Sequence, residues 1–248
     1  MSQSNSSIRI TRDIHRRAKL SVSFLLALWL GAASASEPSV PVTLDATNLR
    51  QGQFTYQLSV KGKLIGTTVI EIRQHTPAEF HIRFDSKDVQ QSWSSTFTKG
   101  FEPIAAELHM PGRKEPYHMT LRYSASAVSG EETRGTQTAP VSAAISRQVI
   151  DQRVDWAAMM ATEFTGNAAS FDVYDPGTGL SRLTATKLPA KAMDGVLGRQ
   201  RAIDLHYTIQ KKDHAESYVV YATASAPRVM LREDMPGDLV AELIAVAD

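Results

Sequence analysis

The chain has 248 residues, of which 42% are hydrophobic and 21% charged, with 27 basic side chains, 26 acidic ones and no cysteine. That apolar content supports a packed core and excludes a disordered chain. The missing thiols exclude disulfides, thiolate metal sites, iron–sulfur clusters, a cysteine nucleophile and an acyl anchor on cysteine.

At the amino terminus Arg9, Arg12, Arg16, Arg17 and Lys19 precede an apolar run at residues 20–30. Ala33 and Ala35 then occupy the small positions of an A-x-A cleavage site. This order reads as a secretory signal peptide over residues 1–35. The run is shorter than the roughly 20 residues a membrane span needs, which favours cleavage over an anchor. Ala18-Lys19-Leu20 departs from a twin-arginine signal despite Arg16-Arg17, so the general secretory route fits better. The expectation is a single β-rich domain over residues 36–248, released without a transmembrane span into the periplasm of a Gram-negative cell. Residues 1–35 hold five basic side chains and one acidic one, so the remainder has 22 and 25 and a formal charge of −3. No basic cluster interleaved with aromatics remains, and no nucleic-acid partner is expected.

Residues 37–51 read as an extended lead-in. Phe54, Tyr56, Leu58 and Val60 then alternate with Thr55, Gln57 and Ser59, the pattern of a half-buried strand. Lys61-Gly62-Lys63 makes a turn, with Gly62 suited to a positive φ, and residues 64–73 return. Phe80, Ile82 and Phe84 mark another strand. Further ones are read at 93–98, 105–110 and 117–123, separated by turns at Lys99-Gly100 and Pro111-Gly112. Residues 124–140 have Val128 as their one sizeable central apolar side chain and read as an exposed, flexible loop within one sheet. Residues 151–163 predict the main helix, capped by Asp151, with Asp155 in the first turn and Trp156, Met159 and Met160 widening an alanine stripe. Asp175-Pro176-Gly177 is a turn, and strands follow at 180–188, 202–211, 217–224, 228–232 and 239–246. The short connections favour antiparallel neighbours. The fold class is therefore α+β and mostly β: one curved antiparallel sheet, half-barrel-like, with one main helix packed on it.

The opening Phe54-x-Tyr56 and Gly62-Lys63-x-Ile65-Gly66 hairpin resembles the start of a large family of exported bacterial proteins of unknown function (domain of unknown function three-one-zero-eight). In that family an aspartate and a short helix interrupt the sheet, as residues 151–160 would here. The late strands at 218–221, 227–231 and 239–243 are similar too. The chain departs from the family at Ala222-Thr223-Ala224, where an aromatic-acidic signature is expected. The resemblance brings no catalytic residues with it. More loosely, such sheets are similar to the half-barrels of lipoprotein carriers, a likeness of fold alone.

Neither a G-x-S-x-G elbow nor an S-x-x-K pair occurs, which weakens a hydrolase reading. The histidines at 75, 81, 109, 118, 206 and 214 form no H-x-H or H-E-x-x-H, so no metal and no cofactor are expected. His206 shares a strand face with Asp204 and Thr208 and reads as solvated. Gly177-Thr178-Gly179 lacks the rest of a phosphate loop and reads as a turn. Glu131-Glu132 and Glu233-Asp234 are sequence neighbours that point to opposite strand faces, and both pairs read as solvated charges.

What remains is the apolar set Trp93, Phe97, Trp156 and Met160. Thioethers and aromatics suit irregular apolar sites. They equally suit the core made by one helix on one sheet. The expected function is a non-catalytic periplasmic protein that binds or carries an apolar, lipid-like ligand through these four residues. The alternative is a structural or interaction protein with a partner in envelope assembly.

Overall fold

The computed structural model describes residues 42–112, 114–145 and 148–247, so the signal-peptide reading lies outside the described residues. In chain order the strands are β1 (Thr43–Leu44), β2 (Gly52–Val60), β3 (Lys63–Thr76), β4 (Glu79–Ser86), β5 (Gln91–Thr98) and β6 (Pro103–Met110). Next come β7 (Tyr117–Tyr123), β8 (Ala127–Arg134), β9 (Gln137–Ala144) and β10 (Ile150–Asp151), then helix α1 (Asp155–Ala161). The remainder is β11 (Thr162–Glu163), β12 (Ala168–Asp175), β13 (Gly179–Lys187), β14 (Lys191–Met193), β15 (Gln200–Gln210), β16 (Ala215–Thr223), β17 (Met230–Met235) and β18 (Leu239–Ala247).

Sixteen of these strands form one sheet. From β2 to β9 each strand pairs with the next in sequence, and β12, β13, β15, β16, β17 and β18 are neighbours in that order, with short β14 off this path beside β15. The two meanders join where β18 pairs with β2, with Leu239 opposite Val60 and Val246 opposite Phe54. The pairs within this path are antiparallel apart from β10 beside β12, where Ile150 lies opposite Val173. No helix among the described residues is long and apolar enough to cross a membrane.

Alternation sets the inner face. Phe54, Tyr56 and Leu58 of β2 are buried while Gln53 and Gln57 face out. Leu205, Tyr207 and Ile209 of β15 do the same. The β2–β3 turn has two residues, Lys61 at φ 51° and Gly62 at φ 74°. Two positive φ values define the tight hairpin turn whose twist matches the strands. A Cβ at Gly62 would meet nothing within 4 Å, so Gly62→Ala tests backbone strain alone. It should cost about 1–2 kcal/mol, the usual penalty for a side chain in the left-handed region, read by urea unfolding.

The segment read as a loop at 124–140 is instead the β8–β9 hairpin, with Val128 opposite Tyr123 and Ala143. Its polar composition has a physical reason: β9 ends the strand order and is largely exposed on both faces. Pro140 fits such an edge, where a missing N–H is tolerated. The helix is also shorter than its pattern. Residues 150–151 pair with β12 and residues 162–163 with β1, so both ends are drawn into strands. Asp151 caps the 3-10 turn Gln152–Val154 that leads into α1.

Every residue of α1 is buried, as expected of a helix that is apolar on nearly all sides. It belongs to one large apolar cluster fed by β2 to β5 and by β12 to β18. A smaller cluster joins Tyr174 of β12 to Met119, Leu121 and Val128 of β7 and β8. Tyr174 meets Tyr123 edge to face at 6.3 Å, although β12 and β7 are far apart in the strand order.

Candidate functional site

The four residues singled out from the sequence divide into two groups. Phe97 is 0% exposed, Met160 1% and Trp156 6%, and all three sit in the large apolar cluster. Phe97 stacks on Phe101 at 4.5 Å, and the Trp156 indole Nε1 donates to the Arg153 carbonyl at 3.2 Å. These three are core. Trp93 is only partly buried, packs against the same cluster and stacks on Phe84 at 5.4 Å with planes 7° apart.

Register extends this stack into a row. Phe84 lies opposite Trp93, Trp93 opposite Leu108, and Leu108 opposite Met119. Phe84, Trp93 and Leu108 are half-buried, whereas Met119 is enclosed. The row thus offers apolar side chains that the core does not fully cover. Beside it, the Tyr117 hydroxyl donates to Glu132 at 3.1 Å, and the Arg134 guanidinium lies 5.0 Å above the Tyr117 ring.

Side chains on both flanks fasten the helix. At its start the Arg153 Nε donates to Asp151 at 3.1 Å, and its terminal nitrogens reach Tyr123 Oη at 3.4 Å and Asp175 at 3.7 Å. Burial pushes the Asp151 carboxyl up against the pull of Arg153, while Arg153 itself is held charged by Asp151, Tyr123 and Asp175 despite burial. At its end Thr162 Oγ1 donates to the Ala158 carbonyl at 2.8 Å and Asn48 Nδ2 to that of Ala161 at 3.2 Å. Arg228 Nη1 reaches the carbonyls of Met160 and Thr162. A cation and two amide or hydroxyl donors therefore meet the negative end of the helix.

Sequence reasoning missed a buried acid pair. Glu233, read as a solvated charge beside Asp234, is only 8% exposed. Asp234 alone faces outward, held by Arg232 at 2.6 Å and Tyr221 at 3.2 Å. The signal was the parity of β17, which puts Glu233 on the side of Leu231 and Met235. Tyr207 Oη lies 3.2 Å from Glu233 Oε1 and 3.4 Å from Asp155 Oδ1. Burial pushes the Glu233 carboxyl up to about 7. Asp155 is raised well above the usual carboxylate range, first by burial and then by the Glu233 charge. His206, in contrast, is exposed, and Asp204 is bound at 2.6 Å by Lys191. Gly177 closes a turn by donating its N–H to Asp175 at 2.9 Å. Among the described residues no three His, Asp or Glu side chains are grouped to hold a metal ion.

No family model matches the chain, and no curated protein does. The family resemblance therefore stands on its short motifs alone. Among solved structures, the chain is similar to a protein described as exported and of YmcC-like fold from Bacteroides fragilis NCTC 9343. The two are 8% identical with a TM-score of 0.34, over 83% of this chain and 100% of that one.

Proposed function

We propose that this is a non-catalytic, exported protein of the bacterial envelope that binds an apolar, lipid-like chain. The observation that supports it is the half-buried row of Phe84, Trp93 and Leu108 across β4, β5 and β6. Apolar surface left open beside a packed core is the usual lining of a site for apolar ligands. In this reading the sheet curves as a half-barrel, drawing Tyr174 of β12 onto Tyr123 of β7. Phe97, Trp156 and Met160 form the floor, and Trp93 meets the ligand. Export follows from the signal-peptide pattern over residues 1–35, with Ser36 as the first residue of the periplasmic form.

Trp93→Ala tests the reading. It should weaken binding of a fluorescent fatty acid about tenfold, the equivalent of 1.4 kcal/mol. Its stability cost should be about 1–2 kcal/mol, roughly half that of a fully buried aromatic. Unchanged affinity in the variant, or no saturable binding by the parent, would overturn the assignment.

A second reading rests on β9. This edge strand carries no charged side chain over Gln137–Ala144, and charge is a common means of blocking edge pairing. A role in envelope assembly through that edge would appear as a protein partner, rather than lipid, retained in native mass spectrometry.

A further inference from the structure

Tyr207 has one hydroxyl proton and stands between two carboxyl groups, Glu233 Oε1 at 3.2 Å and Asp155 Oδ1 at 3.4 Å. Each hydrogen bond needs a proton between its two oxygens. If both acids are ionised, Tyr207 can donate fully to one, and the other oxygen pair faces lone pair to lone pair. One shared acid proton completes the set, because a protonated carboxyl can donate to the phenol oxygen. Asp155 also accepts from the Trp156 N–H, so the triad joins the first turn of α1 to β15 and β17.

Among the described residues no lysine or arginine forms an ion pair with Asp155 or Glu233. From β16 Tyr218 stacks on Tyr207 at 4.8 Å, and from β2 Tyr56 points its hydroxyl at the Met230 carbonyl, 3.0 Å away. Asp151, before the helix, and Asp234, next to Glu233, add negative charge to the neighbourhood. The cations nearby in sequence are committed elsewhere: Arg153 binds Asp151 and Asp175, and Arg232 binds Asp234. Two ionised carboxylates buried side by side without a cation are strongly unfavourable.

We propose that Asp155, Tyr207 and Glu233 form a proton-dependent latch that holds α1 against the sheet and regulates access to the apolar floor of Phe97, Trp156 and Met160. The second half of this statement rests on the ligand-binding reading above. The first half does not.

The sign follows from linkage. Both acids hold their protons more tightly when docked than when exposed, so docking is strongest at pH below the ordinary carboxylate range. It weakens as pH rises from about 4.5 to about 7, the exposed and docked values for Glu233. Above that the docked Glu233 is ionised as well and its dependence levels off, while the raised Asp155 extends the trend.

Hydrogen exchange of the α1 amides tests the latch, with rates corrected for the intrinsic effect of pH. Their opening equilibrium should rise about 40-fold between pH 5 and pH 7 from Glu233 alone. Amides of β3, remote from the triad, should not follow. Glu233→Gln and Asp155→Asn keep size and shape while removing a titration, and either one should flatten the profile. A parent profile independent of pH, or an unchanged slope in a folded variant, would overturn the latch. A fluorescent apolar probe, 1-anilinonaphthalene-8-sulfonate, separates the two proposals in the same samples. Helix opening that follows pH without probe binding keeps the latch and rejects the ligand site. Saturable probe binding with no dependence on pH keeps the site and rejects the latch's control of access to it.

Discussion

Trp156→Ala is expected to lower folding stability by about 3–5 kcal/mol, the usual range for deleting a packed indole. The ring is 6% exposed, and the alanines beside it on α1 are too small to fill the space it would leave. The substitution also removes the donor to the Arg153 carbonyl, leaving a polar group in an apolar setting. Urea unfolding followed by circular dichroism measures the effect. A loss below about 1 kcal/mol, the level of a surface change, would show that the ring is not packed as described. The outcome bears directly on function, because a tryptophan reserved for a ligand would be removed at little structural cost.

Arg153→Ala should be destabilising to a similar degree, about 3–5 kcal/mol. Its guanidinium is the cation that matches Asp151, which is completely buried. Without it Asp151 must either remain charged in the interior or take up a proton, and Tyr123 and Asp175 lose a donor. Most of the loss comes from the stranded carboxylate rather than from the attraction itself. Asp151→Asn added to Arg153→Ala should therefore recover a substantial part of the stability, even though it removes a second member of the network. Equal losses in the single and double variants, measured by thermal unfolding at pH 7, would contradict this account.

Much of the strand layout was legible because the inner face of the sheet is apolar. Phe54, Tyr56 and Leu58, and later Leu205, Tyr207 and Ile209, show the period of two directly. Gly62 and Pro176-Gly177 marked turns for reasons of backbone geometry. The β8–β9 hairpin was not legible, because a strand at the end of a sheet needs little apolar material and its residues look like those of a loop. The acid pair was hidden by an assumption about charge: Glu233 keeps the parity of Leu231 and Met235, but carboxylates are seldom buried, and pairing is needed to show what faces them. The different burial within the apolar set was hidden for a subtler reason. Trp93 and Phe97 share one face of β5, and alternation cannot tell that Phe97 is fully enclosed while Trp93 is only partly covered.

The pairing of β18 with β2 has a consequence for the order in which the molecule can assemble. Each meander is built from neighbours in sequence and can form hairpin by hairpin, but the join between them links residues separated by most of the chain. Such long-range pairing slows folding, since the closure entropy is lost before the contacts form. During synthesis Phe54, Tyr56 and Leu58 wait without one of their two strand partners until β18 has been made. The first meander can thus close its own hairpins early, yet β2 stays an open edge, able to pair with any free strand, until the last strand of the chain arrives.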